Sequence, residues 1–418
     1  MLVSLDTLEF LATHSLFVHP VSFRIHFVLS FTMKTNRTNI PDKVFFVCSG
    51  LGTTRRGYEI FFHSLFEKLR DNEHLDITLY KGGGLNAKRE KRLWNLPRLS
   101  KAAVLLGKWL GRGSKSIGRG YYIEQLTFFI SLIPYLTIRR PHLIYASDND
   151  LCRFLSRWKK LTKQSYLLLF HNGGPYPPPY AGFDYVQQLT QPTYQLAIRA
   201  GCTAKQQIYL PAGLDLESSV RRTENSENEA LRITLNLPTN NTVVLCVSAV
   251  NSSHKRVNYL IKEISRLPSP QPFLQVLGQF DKETPSILQL AKSTLEPENY
   301  SFRTVSPETL KNYYSVADLF VLASVREGFG FVMAEALAAG LPCLVHDYDI
   351  SRYVLAEHGF YADFNQNGEL ARLITRTLEE QQTEHNIQRR HASAYQRFSW
   401  DILIPKYIET LLRCAKGN

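Results

Sequence analysis

The sequence predicts an α/β protein of two parallel-sheet domains, on three observations. Short apolar strands alternate with amphipathic helical segments, that pattern runs twice along the chain, and a polar stretch divides the two runs. At 418 residues the chain exceeds the roughly 250 to 300 at which a single core stops growing, so length alone also suggests two domains. With 44% hydrophobic and 21% charged residues and no biased tract, the composition is that of a folded globular protein.

In the first run, 44–48 reads as a buried strand, 50–57 as a loop and 58–70 as a helix with apolar residues at helical spacing. Further strands are expected at 77–80, 143–146 and 166–170, with a helix over 190–200. The stretch 214–230 carries Glu217, Arg221, Arg222, Glu224, Glu227 and Glu229 with few large apolar residues, and is expected to be the domain linker. The second run restarts with a strand at 243–247, followed by strands at 273–277, 319–322 and 342–345 and helices over 257–266, 307–316 and 330–339. The domains are accordingly set at 43–213 and 231–395, with a C-terminal helix in 396–418 expected to pack back toward the first.

Residues 1–42 are an N-terminal extension in this reading. Its apolar segment 17–31 is broken by His19, Pro20, Arg24 and His26, too short and polar to span a bilayer and without the basic start and cleavage site of a signal peptide. A translation start at Met33 is the expectation. The six cysteines are scattered and form no CxxC pair, which argues against a zinc ribbon or a disulfide scaffold.

The charge is uneven. Between residues 81 and 163 there are 18 Lys and Arg against four acids, a net +14, whereas the whole chain carries +12, leaving about −2 elsewhere. A solvated basic face is one reading of this excess. Attraction to an anionic membrane surface or a lipid-phosphate acceptor is the other. Recognition modules that would support nucleic acid as a partner are missing.

The most specific segment is 317–336, in which a strand ends, a glycine-punctuated loop follows, and a helix begins close to Gly330. Glu327 falls in the loop and Glu335 in the helix, on either side of Gly328-Phe329-Gly330. A helix start offers unpaired N–H groups and a positive dipole end to an anion, so acids beside it need another partner, such as sugar hydroxyls. Taken alone, the pair also fits two acids that merely favour a helix start. Open parallel sheets bind ligands beyond the carboxyl ends of their strands, which places this loop in a cleft between the domains.

The Glu, seven residues, Glu arrangement with its internal Gly-Phe-Gly, followed by Gly340-Leu341-Pro342-Cys343, resembles the retaining glycosyltransferases of family 4. The resemblance is specific over about 302–345 and weaker but continuous from Val44 to the C-terminal helix. It implies the glycosyltransferase-B fold, two facing Rossmann-like domains with the active site in the inter-domain cleft. It further implies that Glu327 contacts the donor sugar, that Glu335 binds the ribose hydroxyls, and that the backbone at Gly328, Phe329 and Gly330 approaches the diphosphate. Lys255, after the first strand of the second domain, matches a lysine directed at the diphosphate, where charge builds as the glycosidic bond breaks. Many members carry an arginine where this chain has Ala249, and Arg256 is the residue placed to substitute.

In the first domain the loop 49–59 holds Gly52 and Arg56, and the resemblance makes it the loop that closes over the diphosphate and faces the acceptor. A lone Gly-x-Gly would fit a dinucleotide fold equally, but there is no third glycine in register. His171, at a strand end expected to point into the cleft, resembles an active-site histidine. Asp148-Asn149-Asp150 and Asp347-Tyr348-Asp349 are strings of the Asp-x-Asp type, but the doubled fold and Lys255 leave no role for a metal, so no metal or other cofactor is expected. The expected activity is sugar transfer from a nucleotide diphosphate sugar to a glycan or lipid-linked acceptor, in the cytoplasm or peripherally on the inner face of the membrane. A nucleotide-sugar epimerase on the same fold and a non-catalytic nucleotide-sugar binding module remain as alternatives.

Overall fold

The computed structural model describes residues 41–417 except 55, 111–115, 175, 221–224 and 381, so the expectations for 17–31 and Met33 lie outside the described residues. The described strands form two wholly parallel sheets. The first comprises β1 (Asp42–Cys48), β2 (Leu75–Lys81), β3 (Glu90–Arg92), β4 (Leu143–Ala146), β5 (Leu167–Asn172), β6 (Tyr185–Gln188) and β7 (Gln207–Tyr209), in the order β3-β2-β1-β4-β5-β6-β7. The second comprises β8 (Val243–Val247), β9 (Phe273–Leu277), β10 (Tyr300–Arg303), β11 (Leu319–Leu322), β12 (Cys343–His346) and β13 (Gly359–Ala362), in the order β10-β9-β8-β11-β12-β13.

Each sheet opens with a central strand and winds outward to both sides, the doubly wound arrangement whose order reverses beside β1 and β8. Those strands are apolar because helices cover both faces: Val44 to Cys48 and Val243 to Val247 are all buried. In the first half the helices are α1 (Gly57–Leu69), α2 (Lys101–Trp109), α3 (Ser116–Arg139), α4 (Asn149–Thr162) and α5 (Gln191–Arg199). The second half has α6 (Asn225–Thr234), α7 (Val257–Ile264), α8 (Thr284–Thr294), α9 (Pro307–Val316), α10 (Phe331–Ala338), α11 (Asp349–Leu355), α12 (Glu369–Glu379) and α13 (Glu384–Phe398), and α14 (Trp400–Lys416) ends the chain.

The polar stretch 214–230, expected to be the domain linker, is attached to the fold at both ends. Leu214 is buried, and its N–H donates to the Phe398 carbonyl at 2.8 Å while its own carbonyl accepts from the Trp400 N–H at 3.1 Å. At the other end the stretch runs into α6, which Arg232 ties to the second sheet through the Val316 carbonyl and Asp318. Of the charged residues named for this stretch, the described ones, Glu217, Glu227 and Glu229, are exposed.

The chain therefore crosses between the halves twice, and the two crossings are bonded to each other. After the second crossing α14 lies against the first half: Trp400 Nε1 donates to Ser64 Oγ at 2.8 Å and the Tyr407 hydroxyl to the Pro211 carbonyl at 2.7 Å. One apolar cluster runs from Phe46, Phe61 and Phe62 through Trp400 and Tyr407 to Phe329, Met333 and Phe398, so the halves share a core. Gly213 sits where a Cβ would lie 2.1 Å from the Trp400 ring, which shows how tightly the indole is seated. Replacing Trp400 by Ala should lower unfolding free energy by about 3–5 kcal/mol, measured by urea denaturation. A loss below about 1 kcal/mol would mean that the indole is not a keystone of the shared core.

Candidate active site

The loops at the carboxyl ends of the two sheets meet where α1 and α10 begin. A Cβ added to Gly57, the first residue of α1, would lie 3.0 Å from the Phe331 ring, the first residue of α10. Two helix N-termini, one from each half, thus flank one place, each with unpaired N–H groups and a positive dipole end.

On the second half the loop after β8 is shaped by Asn251, whose side-chain oxygen accepts from the backbone N–H of Lys255 at 2.8 Å and of His254 at 3.3 Å. That turn delivers the Lys255 ammonium to Glu327 Oε1 at 2.5 Å, with both side chains largely buried. The same oxygen accepts from Ser324 Oγ at 2.6 Å. Burial and then the Glu327 charge push the Tyr348 phenol up, so this residue of the loop after β12 belongs to the same neighbourhood.

The turn into α10 is made by Gly330, at φ +80°, where a side chain would be strained and would meet Met333. Phe329 is buried and packs edge-on against Phe331 and Phe398, so its ring anchors the turn that Gly328 and Gly330 flank. Glu335 stands on α10 and accepts from the buried Tyr314 hydroxyl at 2.9 Å. Burial raises the Glu335 carboxyl, while the Tyr314 hydrogen bond and Lys311 pull it back. Arg256 takes a left-handed backbone, φ +54°, lays its guanidinium over the Tyr259 ring and donates to the Phe364 carbonyl at 2.8 Å. It is thereby tethered toward α12, while Lys255, its neighbour, reaches Glu327.

On the first half, Gly52 at φ +85° lies so close to Gly83 that a Cβ would sit 2.3 Å from its backbone. Arg56 is not a free cation: its guanidinium bonds Glu59 at 2.5 Å and the Tyr58 hydroxyl, and lies over the Tyr58 and Tyr121 rings. Beneath the loop, the buried Asp148 accepts from the Ser49 N–H at 2.8 Å and from the hydroxyls of Tyr58 at 2.9 Å and Tyr121 at 2.6 Å. Glu124 beside it is clasped by Arg98, at 3.1 Å from Nε. Asp148 thus props the glycine loop, and Asp347 of the other Asp-x-Asp string forms a two-pronged pair with Arg352. Among the described residues one further set of metal-ligand types converges, His63, Glu67 and Glu90, but Glu90 is paired with Lys81 and Glu67 with Arg70.

His171 departs from the expectation of a cleft-facing side chain. It is fully buried, stacked on Phe61 at 4.6 Å and edged by Phe62 and Tyr145, because β5 is a central strand whose end is roofed by α1. Among the described residues no hydrogen bond or ring contact joins it to Lys255 or Glu327. Gln187 donates through its amide nitrogen to the Leu210 carbonyl and Tyr407, which turns its oxygen toward His171 and makes Nδ1 the protonated nitrogen. Nε2 is then a buried acceptor with no partner among the described residues.

Sequence reasoning missed Asn251, Tyr314, Ser324 and the Asp148 network. An Asn in a strand-to-helix loop was a usable signal, since its side chain commonly mimics a backbone turn. Tyr314 carried none.

Burial lowers the His171 pKa to about 4, with the Gln187 hydrogen bond opposing. The unfolded chain binds this proton below about 6.5 and the fold only below about 4, so the stability held in the neutral ring is complete above pH ~6.5 and is lost as pH falls toward 4. His171→Asn should flatten that acid slope relative to wild type when urea midpoints are compared across the window. Parallel slopes would refute the neutral buried ring.

Comparison with known proteins adds three findings. Residues 227–393 match the family described as glycosyl transferases group 1. No curated protein matches the sequence. Among solved structures, the sucrose-phosphate synthase of Thermosynechococcus elongatus superposes with a TM-score of 0.73 at 16% identity, over 90% of this chain and all of that one. Anabaena HepE, solved in complex with UDP and glucose, gives 0.68 at 19% identity over 88% of this chain and 99% of its own. WaaG, a glycosyltransferase involved in lipopolysaccharide biosynthesis, gives 0.63 at 14% identity over 88% and 99%. The two parallel sheets thus have the GT-B fold, and the match to the group 1 glycosyltransferase family falls on the second half.

Proposed function

We propose that this glycosyltransferase moves a sugar from a nucleotide diphosphate sugar to an acceptor hydroxyl with retention of anomeric configuration, as the resemblance to family 4 implies. The observation that carries the reading is the Lys255–Glu327 pair, brought together from the ends of β8 and β11 beside the start of α10. One ligand can divide that pair, a molecule presenting phosphate to the ammonium and sugar hydroxyls to the carboxylate. The UDP-glucose complex of HepE supports a donor of this class.

In this reading Glu335, oriented by Tyr314, accepts from the ribose hydroxyls, and the N–H groups at the start of α10 receive the diphosphate. Lys255 leaves Glu327 for the phosphate, and Glu327 accepts from the donor sugar. The acceptor oxygen attacks the anomeric carbon on the face from which the phosphate departs. The bond from that carbon to the phosphate oxygen breaks, and the freed oxygen takes the acceptor proton while Lys255 offsets its charge. Gly52 and Arg56 stand on the loop that closes from the first half, with Arg56 placed by Glu59. His171 shapes the roof of this site through Phe61 and the turn at Gly173, and acts as a neutral ring. Because Lys255 and α10 supply the positive charge, no divalent ion is required. The acceptor is a glycan or a lipid-linked sugar, met at the inner face of a membrane to which the basic 81–163 region is drawn.

Glu327→Ala and Lys255→Ala should each lower turnover by about 10²–10³-fold with a suitable donor and acceptor, the effect of losing one stabiliser of developing charge. Near-normal rates in either would remove its role, and isomerised sugar from donor alone would identify an epimerase. Activity should persist in excess chelator; strict dependence on added manganese would overturn the metal-free reading. Tyr314→Phe should raise the donor KM several-fold with kcat little changed, since it frees a carboxylate that only holds the nucleotide.

A further inference from the structure

Helix α2 is turned inside out. Its buried residues are Ala103 and Gly107, and Gly107 rests so closely on α3 that a Cβ would lie 2.6 Å from the Arg119 carbonyl oxygen. The large apolar residues face outward instead: Leu105 is 68% exposed and Trp109 82%, with Leu106 and Leu110 also exposed. Leu99 just before the helix is 78% exposed and Trp94 64%. A helix of a water-soluble domain buries its apolar stripe and exposes its small residues. Here small residues make the packing face, and the apolar stripe remains.

Lys101 and Lys108 are exposed on α2 at the margin of that stripe. They lie within the 81–163 region of net charge +14. A bilayer interface wants this combination: apolar side chains to enter the acyl boundary, tryptophan at headgroup level, and lysines to meet lipid phosphates. A protein partner would need no such basic surround. Among the described residues no helix is long and apolar enough to cross a membrane, so contact of this kind would be made from the surface.

We propose that the outward face of α2, with Leu99 and Trp94 beside it, seats this protein on an anionic lipid bilayer. The patch is coupled to the glycine loop of the first half by Asn95, which donates to the Ser49 carbonyl at 3.0 Å, and by Arg98. Arg98, next to Leu99, clasps Glu124 and packs against the glycine loop, where a Cβ on Gly50 would lie 2.4 Å from its guanidinium. Seating α2 on a membrane therefore brings the acceptor-facing loop to the lipid surface. The inference takes up the membrane placement proposed above but stands on exposed side chains, so lipid binding and sugar transfer can fail separately.

The test is co-sedimentation of the full chain with vesicles of equal parts phosphatidylcholine and phosphatidylglycerol, against vesicles of phosphatidylcholine alone. Binding to the anionic vesicles is expected, weakening as salt is raised. Leu105→Glu with Trp109→Glu should abolish it, and Lys101→Glu with Lys108→Glu should weaken it about tenfold or more. Both variants should keep the wild-type thermal transition, since every altered side chain is exposed. A variant carrying both Trp94→Phe and Trp109→Phe should lose most of the blue shift in tryptophan fluorescence that vesicles induce. Equal binding to both vesicle types, or binding unchanged in the Leu105/Trp109 variant, would overturn the proposal. So would a concentration-dependent dimer in lipid-free solution that the same variant dissolves, because the face would then belong to a second copy.

Discussion

Everything in this molecule hangs on the place where the chain passes between its halves twice and binds itself in passing. Leu214 goes one way, Ser399 returns, and the two are paired as neighbouring strands would be. Without the second crossing the sheets would be joined by a single polar segment. With it, α14 is committed to the first half, Trp400 fills the seam, and one apolar cluster spans both sheets. Apolar burial is non-directional, so it holds the halves together without fixing their orientation. The backbone bonds at Leu214 supply the direction.

Charge is handled in the same self-contained manner. Ionised groups withdrawn from water are costly unless they find partners. Around the first-half loop, Asp148 is met by one N–H and two hydroxyls, Glu124 by Arg98, and Glu59 by Arg56. These groups make a glycine-containing loop stiff from below while leaving its outer edge bare. Arg56 accordingly has its position set before any ligand arrives.

What could be read from the chain follows the reach of each physical signal. Central strands such as β1 and β8 were legible because burial on both faces forces continuous apolar runs. Edge strands β3 and β7 span three residues each, too short for any period to emerge, and β6 carries Gln187 and Gln188 inside the core, where a polar pair reads as loop. Lys255, Glu327 and Glu335 were singled out by the resemblance to family 4, since spacing alone also fits helix-start residues. The partners that aim them were not, because Tyr314 reaches Glu335 across 21 residues and Lys255 reaches Glu327 across 72. His171 was placed correctly on its strand and wrongly in its surroundings, since a sequence does not say which helix will roof a strand end. The basic excess was visible as a count, yet only the packing of Gly107 on α3 explains why apolar side chains accompany it on the surface.

The Lys255–Glu327 contact has a bearing on how a catalytic cycle would end. A site whose cation and anion neutralise each other has little standing attraction for a bare phosphate, which would gain the ammonium only by stranding the carboxylate next to its own negative charge. A ligand carrying both a sugar and a diphosphate escapes that conflict. Once the sugar has left, the conflict returns, because the spent nucleotide still occupies the lysine while the glutamate has lost its partner. Under the proposed function, re-formation of the 2.5 Å pair would then oppose the remaining nucleotide, and the contact that a donor breaks would also act as the spring that ejects the product.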